Sequence, residues 1–132
     1  TVVKNSPVVE NDLNSIPKST WDTVHQGMWS VVNQPGGTVT SLYTNFGVTV
    51  AGKTGTSQIS KSHPNNALFV SYAPYNNPDI SITGVIPNGY TSHNAAELVR
   101  DVYSYYFKLQ TLDEIFGGKV KPPETNVDSA IE

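Results

Sequence analysis

Three short apolar runs, residues 48–58, 66–73 and 79–86, stand almost end to end, and only turn-forming clusters separate them. Ser62-His63-Pro64-Asn65-Asn66 joins the first two, and Pro74-Tyr75-Asn76-Asn77-Pro78 joins the last two. Such clusters predict turns, because proline presets its backbone angle and asparagine bonds its own main chain. A parallel pair of strands needs a crossover of roughly a dozen residues or more. Links this short leave antiparallel pairing as the arrangement open to the chain. In the third run Ile80, Ile82 and, past Gly84, Ile86 point one way with Ser81 and Thr83 opposite, which predicts one buried face.

Helices are expected on either side. Trp21, Val24, Met28, Val31 and Val32 recur at helical spacing, Ser19 or Thr20 is placed to cap, and Asp22 suits the first-turn dipole. Asn33-Gln34-Pro35-Gly36-Gly37 should end that helix. Residues 38–47 read as a polar connection, partly helical. A second helix is expected from Asn94 to Phe107, with Asn94 and Glu97 as a capping box. Ala95, Leu98, Val99, Val102, Tyr103 and Tyr106 form its apolar stripe, and the alanines allow close approach to a sheet. The predicted fold class is therefore α+β: a three-stranded antiparallel sheet, a C-terminal helix packed on it and a preceding helix.

Around this body, residues 20–107, the expectation is an extended arm over 1–19, broken by Pro7 and Pro17, and a mobile polar tail over 108–132. A one-turn helix is expected at Thr111-Leu112-Asp113-Glu114. Thr1-Val2-Val3-Lys4 lacks an initiator methionine and reads as the start of a segment from a longer chain.

With 132 residues the chain is one ordinary domain at most. A net charge of −3 offers no basic footprint, so nucleic acid is not an expected partner. No apolar run approaches the ~18 residues of a bilayer span. With no cysteine there is neither disulfide nor thiolate metal site, and His25, His63 and His93 lack ligand spacing. No metal or organic cofactor is implied.

Chemistry concentrates in Val50-Ala51-Gly52-Lys53-Thr54-Gly55-Thr56-Ser57-Gln58. Glycine weakens a strand and a central lysine is hard to bury, so a plain strand has no use for them. They make sense if an extended ligand lies alongside as an added strand. Gly55 then lets the ligand backbone approach, Lys53 supplies the cation, and the Thr54 and Thr56 hydroxyls donate to a carboxylate. A backbone N–H near Thr56 could face a developing oxyanion. Alternation puts Lys53 and Thr54 on opposite faces, so a twist at the glycines or the strand's edge must bring them to one ligand.

The wider order of motifs is more specific than the triplet. Trp21-x-x-Val24-x-x-Gly27-Met28-x-x-Val31-Val32 comes first, then Gly37-Thr38 and Phe46. Lys53-Thr54-Gly55 and Ala67-x-Phe69-x-x-Tyr72-Ala73-Pro74 follow, and then the closing helix. Over residues 20–107 this succession resembles the C-terminal part of the transpeptidase domain of class B penicillin-binding proteins. The resemblance implies a serine DD-transpeptidase that cross-links peptidoglycan and binds β-lactams, on the outer face of a bacterial membrane to which the parent is anchored. It implies Lys53, Thr54, Gly55, Thr56 and, at the strand's end, Gln58 as substrate-binding residues, with Thr56 giving an oxyanion donor. Its implied ligands are the peptidoglycan stem peptide and β-lactams.

The family's nucleophile motif, Ser-x-x-Lys, has only a decoy here. Ser15-Ile16-Pro17-Lys18 matches by letters, but Pro17 sits where the serine and lysine should share a helical turn. Ser92-His93-Asn94 matches the family's Ser-x-Asn, yet it follows Lys-Thr-Gly and reads as a helix cap. No catalytic residue is therefore assigned, and the chain alone is expected to be inactive without the N-terminal part of the domain. Trp21, Trp29 and the tyrosines of the last helix read as packing rather than ligand platform. The alternatives are a serine β-lactamase or carboxypeptidase fragment, which shares Lys-Thr-Gly, and a non-catalytic interaction module. Uncovered sheet edges would invite self-association.

Overall fold

The sheet is a meander with strand order β1-β2-β3, formed by β1 (Ala51–Ser57), β2 (Asn66–Ala73) and β3 (Ile80–Ile86), both pairings antiparallel. The structure, a computed structural model, describes residues 13–117. Of the arm expected over 1–19 and the tail expected over 108–132, residues 1–12 and 118–132 lie outside the described residues. The short links did what their length requires, and β2 begins and ends at its flanking turn clusters. β1 is shorter than expected, since Val48–Val50 run into the strand without pairing.

Register assigns the faces. Ala67, Phe69, Ser71 and Ala73 of β2 are buried, and Ile86, Gly84, Ile82 and Ile80 of β3 stand directly opposite them. Ser81 and Thr83 point away and are exposed, as the alternation predicts. The helix α3 (Ser92–Tyr106) covers the buried face, packing on β2 and β3. Ala95, Ala96, Val99 and Tyr103 are buried at this contact. Gly84 has no room for a side chain, because a Cβ there would meet Val99 Cγ2 at 2.8 Å and the Ala95 carbonyl at 3.2 Å. The short helix α2 (Thr40–Tyr43) closes the core from the side, with the Tyr43 hydroxyl donating to the Ala96 carbonyl at 3.0 Å.

The stripe expected on α3 is corrected in part. Leu98, Val102 and Tyr106 are exposed, at 49%, 44% and 45%. The small side chains of Ala95 and Ala96 carry the close contact, which turns Leu98 and Val102 outward. There they line an apolar groove with Leu112, Ile115 and Phe116, next to the one-turn helix α4 (Leu112–Ile115). Thr111 and Glu114 build a reciprocal capping box on α4, and Thr111's N–H and hydroxyl hold the Glu114 carboxyl below its usual range.

Both long helices start differently from expectation. The helix α1 (Lys18–Asn33) follows Pro17 directly, so Ser19 and Thr20 lie inside it and neither caps. Proline's fixed φ and missing N–H suit a helix entry, and the Pro17 carbonyl takes the first amide bonds. Asp22 pairs with Lys18 at 2.7 Å one turn back, an exposed pair of little energetic weight. At α3 the cap is Thr91, which accepts from the His93 N–H at 3.4 Å, while Asn94 donates to the Gly89 carbonyl at 2.8 Å. The Asn94–Glu97 capping box is thereby replaced by a cap one turn earlier.

α1 packs mainly on β1, and the Asn33 amide donates to the Val50 carbonyl at 2.8 Å just before that strand begins.

Candidate functional site

β1 has β2 on one side and no strand on the other among the described residues, so one of its edges is open. Lys53 pairs opposite Val70 and Gly55 opposite Leu68, which places both on the face turned away from α3. Gly52, Thr54 and Thr56 pair opposite Ser71, Phe69 and Ala67, on the α3 side. Alternation is thus kept, with no twist that carries Lys53 and Thr54 to a common face. What the two share is the open edge. Gln58 lies one residue past β1, exposed at the start of the connection to β2.

The two glycines inside this strand serve different ends. A Cβ on Gly52 would collide with the Phe69 ring, at 2.7 Å from Cε2, and lie 2.9 Å from the Val70 carbonyl. Gly52 is demanded by the core. A Cβ on Gly55 would meet Leu68 Cβ at 3.4 Å and Cδ1 at 3.9 Å, close to ordinary contact. Gly55 also has no left-handed backbone angle, unlike Gly36, Gly47 and Gly117. Nothing inside the fold requires glycine at position 55.

Lys53 is exposed, and its Nζ donates to the Thr54 carbonyl at 2.6 Å. Among the described residues no carboxylate pairs with it, so its charge is available at the strand's centre. Beneath the strand the support is rigid. Phe69 and Tyr103 are fully buried, and Ser71 Oγ lies 2.9 Å from the Tyr103 hydroxyl while donating to the Ile82 carbonyl at 3.1 Å. Burial pushes the Tyr103 hydroxyl up, so it stays neutral.

Ser15 sits in the turn before α1, and Lys18 is held by Asp22, so the two do not face each other as a nucleophile and base would. Ser92 and Asn94 are on the α3 entry, far in sequence from β1 and engaged in that helix start. Among the described residues no cluster of acidic groups, histidines or cysteines could hold a metal.

Two features escaped the sequence. In the connection after β1, Ser60 Oγ lies 2.6 Å from Ser62 Oγ, which is 3.1 Å from His63 Nδ1. The second is a row of partly exposed rings running from α1 to the β2–β3 link. The i, i+4, i+8 spacing of Trp21, His25 and Trp29 was a signal for it.

Residues 3–104 match the family model of the penicillin binding protein transpeptidase domain. A curated relative, peptidoglycan D,D-transpeptidase MrdA of Haemophilus influenzae, is 34% identical over 115 residues, covering 76% of this chain and 18% of the relative. Among solved structures, PBP2 of Pseudomonas aeruginosa in complex with WCK 5153 superposes with a TM-score of 0.67 at 34% identity, covering 91% of this chain and 26% of that one. Penicillin-binding protein 2B of Streptococcus pneumoniae superposes with a TM-score of 0.68 at 27% identity, over 84% of this chain and 19% of that one. The chain thus spans about a fifth of the length of the curated relatives it matches.

Proposed function

Because the chain belongs to the penicillin-binding protein transpeptidase family, of the class B type, we propose that it forms one wall of a serine acyl-transfer site that cross-links peptidoglycan. The stem peptide adds to the open edge of β1 as an extended strand. Lys53 attracts its terminal carboxylate from one face, and the Thr54 and Thr56 hydroxyls reach it from the other. A Thr56 backbone N–H stabilises the oxyanion, while Gln58 borders the ligand at the strand's end. A serine on the N-terminal part of the domain attacks the carbonyl next to the terminal D-alanine. That residue departs, and the acyl group passes from the serine ester to an amine. β-Lactams occupy the same edge and acylate the same serine.

The observation that carries this reading is Gly55: an open-edge glycine near a lysine that no carboxylate pairs among the described residues, at a position where the fold itself would accept a side chain. The parent acts on the extracytoplasmic side of the membrane; among the described residues no helix is long and apolar enough to cross it.

Mass analysis after incubation with a β-lactam is expected to give no adduct on this chain alone. Supplying the segment with Ser-x-x-Lys restores labelling, and Gly55→Val then abolishes it while shifting the melting temperature by no more than a few degrees. An adduct on Ser15, or full labelling of the Gly55→Val form, would refute the assignment.

The edges of β1 and β3 that no strand covers among the described residues should also pair between copies. Light scattering at rising concentration is expected to show reversible dimers, weakened by a charge placed at exposed Thr83. A strictly monomeric chain at millimolar concentration would remove this expectation.

A further inference from the structure

The groove on the outer side of α3 is lined by Leu98, Val102 and Tyr105 of that helix and by Leu112, Ile115 and Phe116 at α4. Five of these six side chains are at least 43% exposed. Large apolar side chains scattered singly need no explanation, but gathered in one groove they mark a surface that something covers. The groove measures about 170 Å³. That is below the ~300–1,000 Å³ of small-molecule sites, so it suits an inserted side chain rather than a free ligand. α4, its second wall, lies past residue 104, where the family match ends.

The α3 wall is acidic. Asp101 lines the groove, and Glu97 precedes it by one helical turn. Burial pushes the Asp101 carboxyl up, Arg100 beside it pulls the other way, and the charge of Glu97 adds to the rise. The Arg100 contact is long, at 3.7 Å, and the same guanidinium lies over the Phe46 ring at 5.3 Å. Two carboxyls thus share one arginine, and the rim has room for further positive charge.

The chain itself carries a segment of that chemistry beside the groove. α4 closes at Phe116, and Gly117 follows with a φ of +60°, the left-handed conformation that ends helices. Residues just past such a glycine commonly return against apolar side chains of the helix they leave, here Leu112 and Ile115. The sequence continues Gly118-Lys119-Val120-Lys121-Pro122-Pro123, one aliphatic side chain between two cations. Three extended residues reach about 10 Å, and Phe116 is already part of the groove.

We infer that Lys119-Val120-Lys121 docks into this groove of its own chain as a strap, with Val120 inserted among the apolar side chains and the lysines set against Glu97 and Asp101. In an extended segment Val120 points one way and both lysines the other. The lysine stems are long enough to keep their ammonium groups in water at the acidic rim while Val120 is covered. The strap closes over the stripe of α3 that the sheet leaves unused.

The chain has no cysteine, so an engineered pair reports without background. In the full chain Val120→Cys is combined with Leu98→Cys or with Val102→Cys, and disulfide closure under excess oxidised glutathione is timed by mass at high dilution. Val127→Cys with the same partners is the reference. For a segment with no preferred seat, closure falls roughly as the −3/2 power of loop length, so the two positions should differ by less than about twofold. Docking is expected to make at least one pair at position 120 close about tenfold faster or more than its reference. Asp101→Lys should slow that closure several-fold, and adding Lys119→Glu with Lys121→Glu should recover it. In the cysteine-free chain, Val120→Asp should raise the emission of a dye that reports apolar surface, and Val127→Asp should leave it unchanged. Circular dichroism confirms the fold of each variant. Closure of both pairs within about twofold of their references would overturn the inference, as would bridges that form only between copies.

Discussion

Gly52→Val should unfold the sheet at its first strand. Even a single methyl at position 52 would enter the Phe69 ring and crowd the Val70 carbonyl at 2.9 Å. The ring cannot retreat, because it is fully buried and packs against Tyr43 at 6.2 Å. Overpacked cores cost about 1–3 kcal/mol, and more where backbone is hit, as it is here. A loss of more than ~3 kcal/mol lowers the melting temperature of a ~100-residue domain by more than about 12 °C. Thermal melting followed by circular dichroism reads this directly, with Gly55→Val as the internal comparison. Equal melting of the two variants would show that Phe69 does not lean on β1 as described.

Lys53→Ala should give the opposite pattern. Among the described residues its ammonium bonds a neighbouring carbonyl alone, and it is exposed, so the fold loses almost nothing. If Lys53 is the cation for the substrate carboxylate, acylation by a β-lactam should slow by about 10²–10³-fold, the scale for removing one preorganised charge-stabilising group. The measurement is the second-order acylation rate of a polypeptide that joins this chain to the serine-bearing part. Lys53→Arg should recover part of the rate, since it keeps the charge but not the compact ammonium. A rate within threefold of the unmodified protein would take Lys53 out of the site.

Much of this architecture was legible because local signals and tertiary structure agree. β2 runs from Asn66 to Ala73 as expected, since polar turn clusters bracket a short apolar run. The faces of Lys53 and Thr54 followed from the two-residue period alone. The different duties of Gly52 and Gly55 did not. They depend on where Phe69 points across the sheet, 14 or more positions along the chain, and no window around residue 53 contains that. The outward turn of Leu98 and Val102 was hidden for a related reason: periodicity identifies apolar positions but not which of two neighbouring stripes meets the sheet. The start of α1 at Lys18 is hidden in the sequence because Pro17 reads as a break within an extended arm, whereas proline is also a good entrance to a helix.

The wedge of Phe69 against Gly52 also limits how such a chain can drift over generations. Between Ser57 and Asn66 residues can be gained or lost without moving Lys53, because the register is fixed on the paired side of the gap. One residue inserted between Val50 and Lys53 would instead turn the lysine toward the Phe69 ring and swing a threonine outward. Variation in length should therefore accumulate after the strand and stay rare before it, and comparison of many related chains would reveal that asymmetry as a boundary at Gly52.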